Sequence, residues 1–325
     1  MATVTLAKAL NEGLRKSMEN DNKVLVMGED VGALGGVFRV TDGLQKDFGE
    51  DRVIDTPLAE SGIIGTAVGL AIRGFRPVCE IQFDGFVFPA FDQIVSQVAK
   101  MHYRSGGHVK LPITIRIPYG GGIGAVEHHS ESPESYFCHT PGLKVVTCSN
   151  PADAYWMIQQ TVANDDPVVF FEPKRRYWDK ADVEMTGTPP LPLWKARIAR
   201  PGTDLTLIAY GPMVKVALDA AAAAAEEGKS IEVVDLRALS PIDWPLVEES
   251  VRRTGRAVVV SEAPSYASIT SEIAARLQEK LFYSLESPVL RVTGYNTPFP
   301  PSRVEEEYLP DLDRVLDAVD RSLEA

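Results

Sequence analysis

At 325 residues the chain has room for about two domains, each large enough to bury its own core. Its 45% hydrophobic content and mixed charge are those of an ordinary globular protein. A formal net charge of −12 argues against a nucleic-acid footprint and for an acidic surface or a basic partner. No run approaches the roughly eighteen uninterrupted apolar residues of a membrane span. Met1 to Leu10 carries one lysine and no long apolar core, so neither a secretory signal nor an arginine-rich transit peptide is expected there. Cys79, Cys138 and Cys148 form an odd set without CxxC spacing, which fits reduced thiols in a cytoplasm.

Along the first half, the helical spacing of Leu6, Leu10 and Leu14 leads into an apolar strand at Val24 to Met27. Arg52 to Ile54 and Pro77 to Phe83 read as further short strands. Phe91, Ile94, Val95 and Val98 mark an amphipathic helix ending near Gly106-Gly107. Strands follow at Ile113 to Ile117, Lys144 to Thr147 and Val168 to Glu172. From Pro173 to Pro201 the pattern is lost, and the prolines and scattered charges predict a surface linker. The second half predicts strands at Leu205 to Tyr210, Ile231 to Asp235, Ala257 to Ser261 and Val289 to Thr293. Helices are predicted from Met213 to Glu227, through Leu246 to Arg253, and from Ile269 to Tyr283. Such alternation predicts mostly parallel sheets covered on both faces.

One carboxylate stands out against this frame. Glu60 lies in Asp55-Thr56-Pro57-Leu58-Ala59-Glu60-Ser61-Gly62, at the mouth of an uncharged stretch from Ile63 to Ile72. Thr56 and Pro57 read as the N-cap and first position of a helix, with Glu60 one residue late for a capping box. A first-turn glutamate facing the helix dipole is one reading. The other is a carboxyl whose apolar surroundings favour its protonated form, able to share a proton with a bound base. Glycines 62, 65 and 69 fall near one face of the same helix and permit close approach of another backbone.

Asp-Thr-Pro-Leu-Ala-Glu before a glycine-rich helix resembles the pyrimidine-binding domain of thiamine-diphosphate enzymes, and in particular the beta subunits of 2-oxoacid dehydrogenase complexes. Val233 to Asp243, VVDLRALSPID, resembles the C-terminal domain of transketolase-like enzymes. The resemblance implies a two-domain α/β fold: a pyrimidine-binding domain over 1–185, a linker to about 200, and a transketolase C-terminal-like domain over 201–325. In that family the glutamate hydrogen-bonds a ring nitrogen of the cofactor's aminopyrimidine and favours the imino tautomer that generates the ylid. The resemblance places Leu58, Gln82, Phe86 and Glu29 around the same cofactor. Phe86 in place of tyrosine leaves stacking alone. Glu29 and Glu80, on neighbouring strand ends, read either as a proton-relaying pair or as salt-bridged structural acids.

His128 and His129 follow the turn Gly120-Gly121-Gly122-Ile123-Gly124. Adjacent histidines without a returning Cys or His make a poor zinc site. The triglycine is a poor phosphate fingerprint and reads better as a structural turn. His-Ser-Glu-Ser-Pro-Glu, followed by Cys138 to Leu143, resembles the beta-subunit pattern with one histidine in the active-site channel. Register assigns that histidine to His129, which the family uses to stabilise the decarboxylated intermediate and protonate the lipoyl dithiolane, the other reading being a satisfied loop histidine. The family also implies potassium held by backbone carbonyls, here of Leu111, Ile113, Thr114, Thr161, Asn164 and Asp166.

No Gly-Asp-Gly motif for Mg2+ and the diphosphate is visible, which implies that half of the cofactor site comes from another chain. The resemblance therefore implies the beta subunit of an alpha2-beta2 2-oxoacid dehydrogenase that passes its acyl group to a lipoyl acyltransferase. Family likeness favours branched-chain substrates, with pyruvate or acetoin versions as alternatives. A nicotinamide oxidoreductase would need a strand-GxGxxG-helix unit that is not found, and a non-catalytic assembly subunit is the remaining rival. From Pro301 to Ala325, Glu305, Glu306, Glu307, Asp311, Asp313, Asp317, Asp320 and Glu324 stand against only Arg303, Arg314 and Arg321. That acidic outer face reads either as a solvated helix surface or, as the family resemblance implies, as a docking surface for the acyltransferase's small basic binding domain.

Overall fold

A computed structural model describes the whole chain, Met1 to Ala325. It comprises two compact units: Met1–Tyr119 with Tyr136–Leu193, and Gly120–Ser135 with Trp194–Ala325. The first unit opens with β1 (Ala2–Thr5), α1 (Leu6–Asn20), β2 (Val24–Gly28), α2 (Leu44–Phe48), β3 (Val53–Asp55), α3 (Glu60–Ile72) and β4 (Arg76–Glu80). After α4 (Met101–Arg104) come β5 (Thr114–Tyr119), the short helix α5 (Glu134–Cys138), β6 (Lys144–Thr147), α6 (Pro151–Val162), β7 (Val168–Pro173) and β8 (Lys180–Val183). The first unit's central strands run parallel in the order β6-β7-β5-β4-β2-β3. Val24 to Gly28, Thr114 to Tyr119 and Val168 to Pro173 are buried along their whole lengths, as a sheet covered on both faces requires. Helix α1 is capped by the Thr5 hydroxyl, which accepts from Lys8 N at 3.2 Å. Gly13 lets it lie on α6, since a Cβ there would stand 2.8 Å from Tyr155 O.

The second unit contains β9 (Arg197–Arg200), β10 (Leu205–Ala209), α7 (Met213–Glu226), β11 (Ile231–Asp235), β12 (Ala238–Ser240), α8 (Trp244–Thr254) and β13 (Ala257–Pro264). It ends with α9 (Ile269–Leu281), β14 (Leu290–Gly294), α10 (Glu305–Tyr308) and α11 (Leu312–Leu323). Its sheet order is β14-β13-β10-β11-β9, parallel except for β9. Ala217, Ala220, Ala221 and Ala224 of α7 pack on Leu205, Leu207 and Val233, and Val315 and Val319 of α11 complete the core. Alanines keep the α7 helix close to the sheet, and Gly228 at φ 83° ends its excursion.

Three expectations change. The predicted linker carries structure: Lys180 to Val183 pairs antiparallel with β1, and Arg197 to Arg200 forms the edge strand on β11. Their charged alternation disguised them, and charge is a common feature of edge strands. The Tyr155 hydroxyl and Trp156 indole also donate to Met185 O and Glu184 O, tying this stretch to α6. The Phe91 to Val98 stripe widens into a π-helix over Gln93–Val98, with Ala99 N bonding back to Ile94 O at 2.9 Å. Finally, Thr56 does not cap α3. Thr56 N donates to Gly28 O, and the Asp55 carboxylate accepts from Gly32 N, so the chain stays bound to the sheet edge and the helix begins at Glu60.

No helix is long and apolar enough to cross a membrane. None of the three cysteines is in a disulfide; Cys79 and Cys148 are buried, and burial pushes the Cys79 thiol up to about 12.

Candidate active site

Parallel β2, β3 and β4 end together, with Gly28 opposite both Asp55 and Glu80. Chain segments leaving these strand ends carry Glu29, Leu58, Glu60 and Gln82, at the carboxyl end of a parallel sheet, where open α/β sheets bind ligands. Glu60 is the first helical residue of α3 and only 6% exposed. No hydrogen bond or ion pair within the chain reaches its carboxyl, whose oxygens keep some access to solvent and so are open to a partner from outside the chain. Glu29 is half-buried beside it. Burial, then Glu60, then Asp30 hold the Glu29 carboxyl above its ordinary value. Leu58 is exposed, and Gln82 donates to the Asp30 carboxylate at 3.2 Å. Phe86 is half-buried in an edge-to-face chain: Phe83 meets Phe86 at 5.9 Å and Phe38 at 5.5 Å between ring centroids.

Beneath this end of the sheet lies a charged network that the sequence reading left out. Arg116 holds Glu172 in a two-pronged pair, Nε to Oε1 at 2.6 Å and Nη2 to Oε2 at 2.9 Å, and also donates to Glu80. Tyr177 adds a 2.6 Å bond to Glu172, and all these side chains are buried. The Glu80 carboxyl is raised by burial, against the opposing pull of Arg116. Glu80 is thus a structural, ion-paired acid, and of the two readings of the Glu29–Glu80 pair this one holds for Glu80. Lys174 pairs with Asp84 at full burial, anchoring the 3-10 turn Asp84–Ala90 that carries Phe86. The signal was present in the sequence. Arg116 interrupts Ile115 and Ile117, and a charge inside a buried strand must have a partner.

His129 belongs to the second unit, in the short turn Glu127–His129, with its ring edge-on to His128 at 4.5 Å. The preceding glycines are indeed a structural turn, and its amides are filled from within the chain. Gly121 N donates to Glu262 at 3.2 Å, and Gly122 N and Gly124 N donate to the two oxygens of Glu305 at 2.5 and 2.9 Å. No group of three or more His, Cys, Asp or Glu side chains is arranged to hold a metal ion.

The six residues expected around potassium lie before and within β5 and around the end of α6. Ile113 O accepts from Val168 N and Thr161 O from Asn164 N, while Asn164 O accepts from Arg76 Nη1 at 3.0 Å. The Thr161 hydroxyl is buried without a hydrogen-bond partner.

Comparison with known proteins agrees with this architecture. Residues 2–179 match the pyrimidine-binding domain of transketolase, and residues 194–315 match the transketolase C-terminal domain. Among solved structures, a chain described as a split-gene transketolase, inactive beta4 tetramer, superposes with a TM-score of 0.77 at 22% identity. The match covers 99% of this chain and 98% of that one, and shows the shared fold. The pyruvate dehydrogenase E1 component subunit beta of Leifsonia xyli is 62% identical over 99% of this chain and 95% of its own length. The 3-methyl-2-oxobutanoate dehydrogenase subunit beta of Mycobacterium tuberculosis is 53% identical over 99% of this chain and 92% of its own. This chain belongs to the transketolase-like E1 beta subunits of 2-oxoacid dehydrogenases.

Proposed function

We propose that the chain forms, with an alpha subunit, the thiamine-diphosphate-dependent component that oxidatively decarboxylates branched-chain 2-oxoacids and transfers the acyl group to a lipoyl acyltransferase. The observation that carries this reading is the Glu60 carboxyl, nearly enclosed at the head of an apolar helix and without a partner in its own chain. A buried acid of this kind suits a ring nitrogen of the cofactor's aminopyrimidine, with which it would share a proton. Thiamine diphosphate, when bound, supplies the nucleophilic carbon and the electron sink for loss of CO2.

Glu60 would hold the pyrimidine ring and control its proton, and the Phe86 face and Leu58 would supply apolar contact. Gln82 would contribute a polar contact and Glu29 would act through Glu60. His129 would donate a proton during transfer to the lipoyl sulfur. Mg2+ and the diphosphate would be held mainly by the alpha subunit, since highly charged groups need charge-assisted contacts. Potassium would sit among the carbonyls of Leu111, Ile113, Thr114, Thr161, Asn164 and Asp166, where the orphaned Thr161 hydroxyl and unused carbonyl lone pairs are oxygen donors of the right type.

Glu60→Gln and Glu60→Ala in the purified alpha2-beta2 enzyme should leave assembly intact and lower decarboxylation by about 100-fold or more. Near-normal turnover would sink the assignment. A second reading, pyruvate as substrate, is favoured by the 62%-identical relative named for that activity. Comparing kcat/KM on pyruvate and on three branched-chain 2-oxoacids separates the two.

A further inference from the structure

Glu305 lies in sequence almost two hundred residues from the glycine turn, yet its carboxylate is seated on it. Both oxygens are used, one by Gly122 N and one by Gly124 N, and the side chain is buried. A neighbouring amide, Gly121 N, goes to Glu262, while Gly120 N donates to Glu131 O at 2.9 Å and closes the loop on itself. Gly122 and Gly124 have φ of 88° and 70°, the left-handed backbone that turns successive amides toward one anion. A Cβ at Gly121 would stand 2.6 Å from the Phe299 ring, so only glycine allows this approach. Phe299, Tyr308 and Leu309 form a small apolar cluster from the same C-terminal segment. The loop anchored in this way runs directly into Glu127, His128 and His129.

We infer that Glu305 is a positioning residue for His129. It clamps the glycine turn from the C-terminal segment and so fixes where the histidine loop presents its imidazole. The inference rests on the proposed role of His129 in acyl transfer. A carboxylate accepting two amide bonds in a buried seat is a strong and directional anchor. Without it, Gly122 N and Gly124 N lose their acceptors, and three glycines leave the turn free to take other conformations. A displacement of the order of 1 Å in a catalytic group is enough for losses of about 10- to 100-fold.

The test uses the assembled alpha2-beta2 enzyme carrying Glu305→Ala, Glu305→Gln, Gly121→Ala, His129→Ala and the Glu305→Ala/His129→Ala pair. Hydrogen–deuterium exchange reads the turn independently of activity, and Glu305→Ala should raise exchange at Gly122 and Gly124. Lipoyl-dependent turnover should fall by about tenfold or more, while decarboxylation with an artificial electron acceptor changes much less. Glu305→Gln keeps one acceptor oxygen and should recover part of the loss. In the double variant Glu305→Ala should add little to His129→Ala, because the two act as one unit. If Glu305→Ala fails to assemble, Glu305→Gln and Gly121→Ala, which disturb the same seat from its two sides, decide by the same ratio of activities. Unchanged exchange, equal losses in both assays, or full additivity with His129→Ala would overturn the positioning role. If His129→Ala itself leaves the ratio of activities unmoved while exchange responds to Glu305→Ala, the function assigned to His129 is wrong. Glu305 then has nothing to position.

Discussion

Glu29 and Glu60 interact as like charges at the ends of neighbouring elements, and the interaction raises the Glu29 carboxyl after burial has already done so. The folded state therefore binds the Glu29 proton more tightly than the unfolded chain. Stability falls as pH rises from the ordinary value of 4.5 through the raised folded value, so ionised Glu29 costs stability at neutral pH. Glu29→Gln should raise the thermal midpoint near neutrality and lose this advantage in acid. Glu60→Gln should bring the Glu29 titration, followed by carboxyl NMR, back toward its ordinary range. A Glu29 titration unmoved by Glu60→Gln would show that burial alone sets it.

Removing Arg116 would leave Glu80 and Glu172 buried without their cation. Arg116→Met should destabilise the first unit by about 3–5 kcal/mol, the scale of breaking a buried pair from one side. The triple change with Glu80→Gln and Glu172→Gln should recover much of that loss. Urea unfolding of the three proteins checks both statements, and a single variant as stable as the parent would contradict the network's role.

The isolated chain should not bind thiamine diphosphate tightly. Its candidate contacts are Glu60, Leu58, Gln82, Phe86 and Glu29, none of them a ligand for the diphosphate. The α3 face bearing Gly62 and Gly69 is exposed. Calorimetry with Mg2+ should show no micromolar site until an alpha subunit is added, when affinity and thermal stability should rise together. Stoichiometric micromolar binding by the single chain would refute the two-chain site.

A basic acyltransferase domain docking on this face would have fewer acids to use than the sequence suggested. Glu305 is buried on the glycine turn, Asp311 caps α11 through Arg314 N, and Asp320 pairs with Lys229 at 2.8 Å. Glu306, Glu307, Asp313 and Glu324 remain exposed without an ion-pair partner, and Asp317 is exposed beside Arg321. Neutralising Glu306, Glu307 and Asp313 should weaken binding about tenfold at low salt, each exposed pair being worth about 0.2–1 kcal/mol, and less at high salt. Surface-plasmon measurements that show no change would move the contact elsewhere.

Much of the molecule was legible before any coordinates. The strands Val24 to Met27 and Ile231 to Asp235 and the alanine-rich α7 were each readable because local periodicity and burial agree there. The Asp55 to Gly62 string pointed to Glu60 because an acid at the mouth of an uncharged run is conspicuous in one dimension. Tertiary structure decided the rest. Whether α3 starts at Thr56 or Glu60 depended on β2, whose end holds Thr56 in the sheet. Whether Glu80 is a relay or an ion-paired acid depended on Arg116, a residue of another strand. That Glu305 closes the glycine turn of the histidine loop was unreadable, because such contacts join residues far apart in sequence. Local propensity carries no trace of a partner that only the folded chain brings within hydrogen-bonding distance.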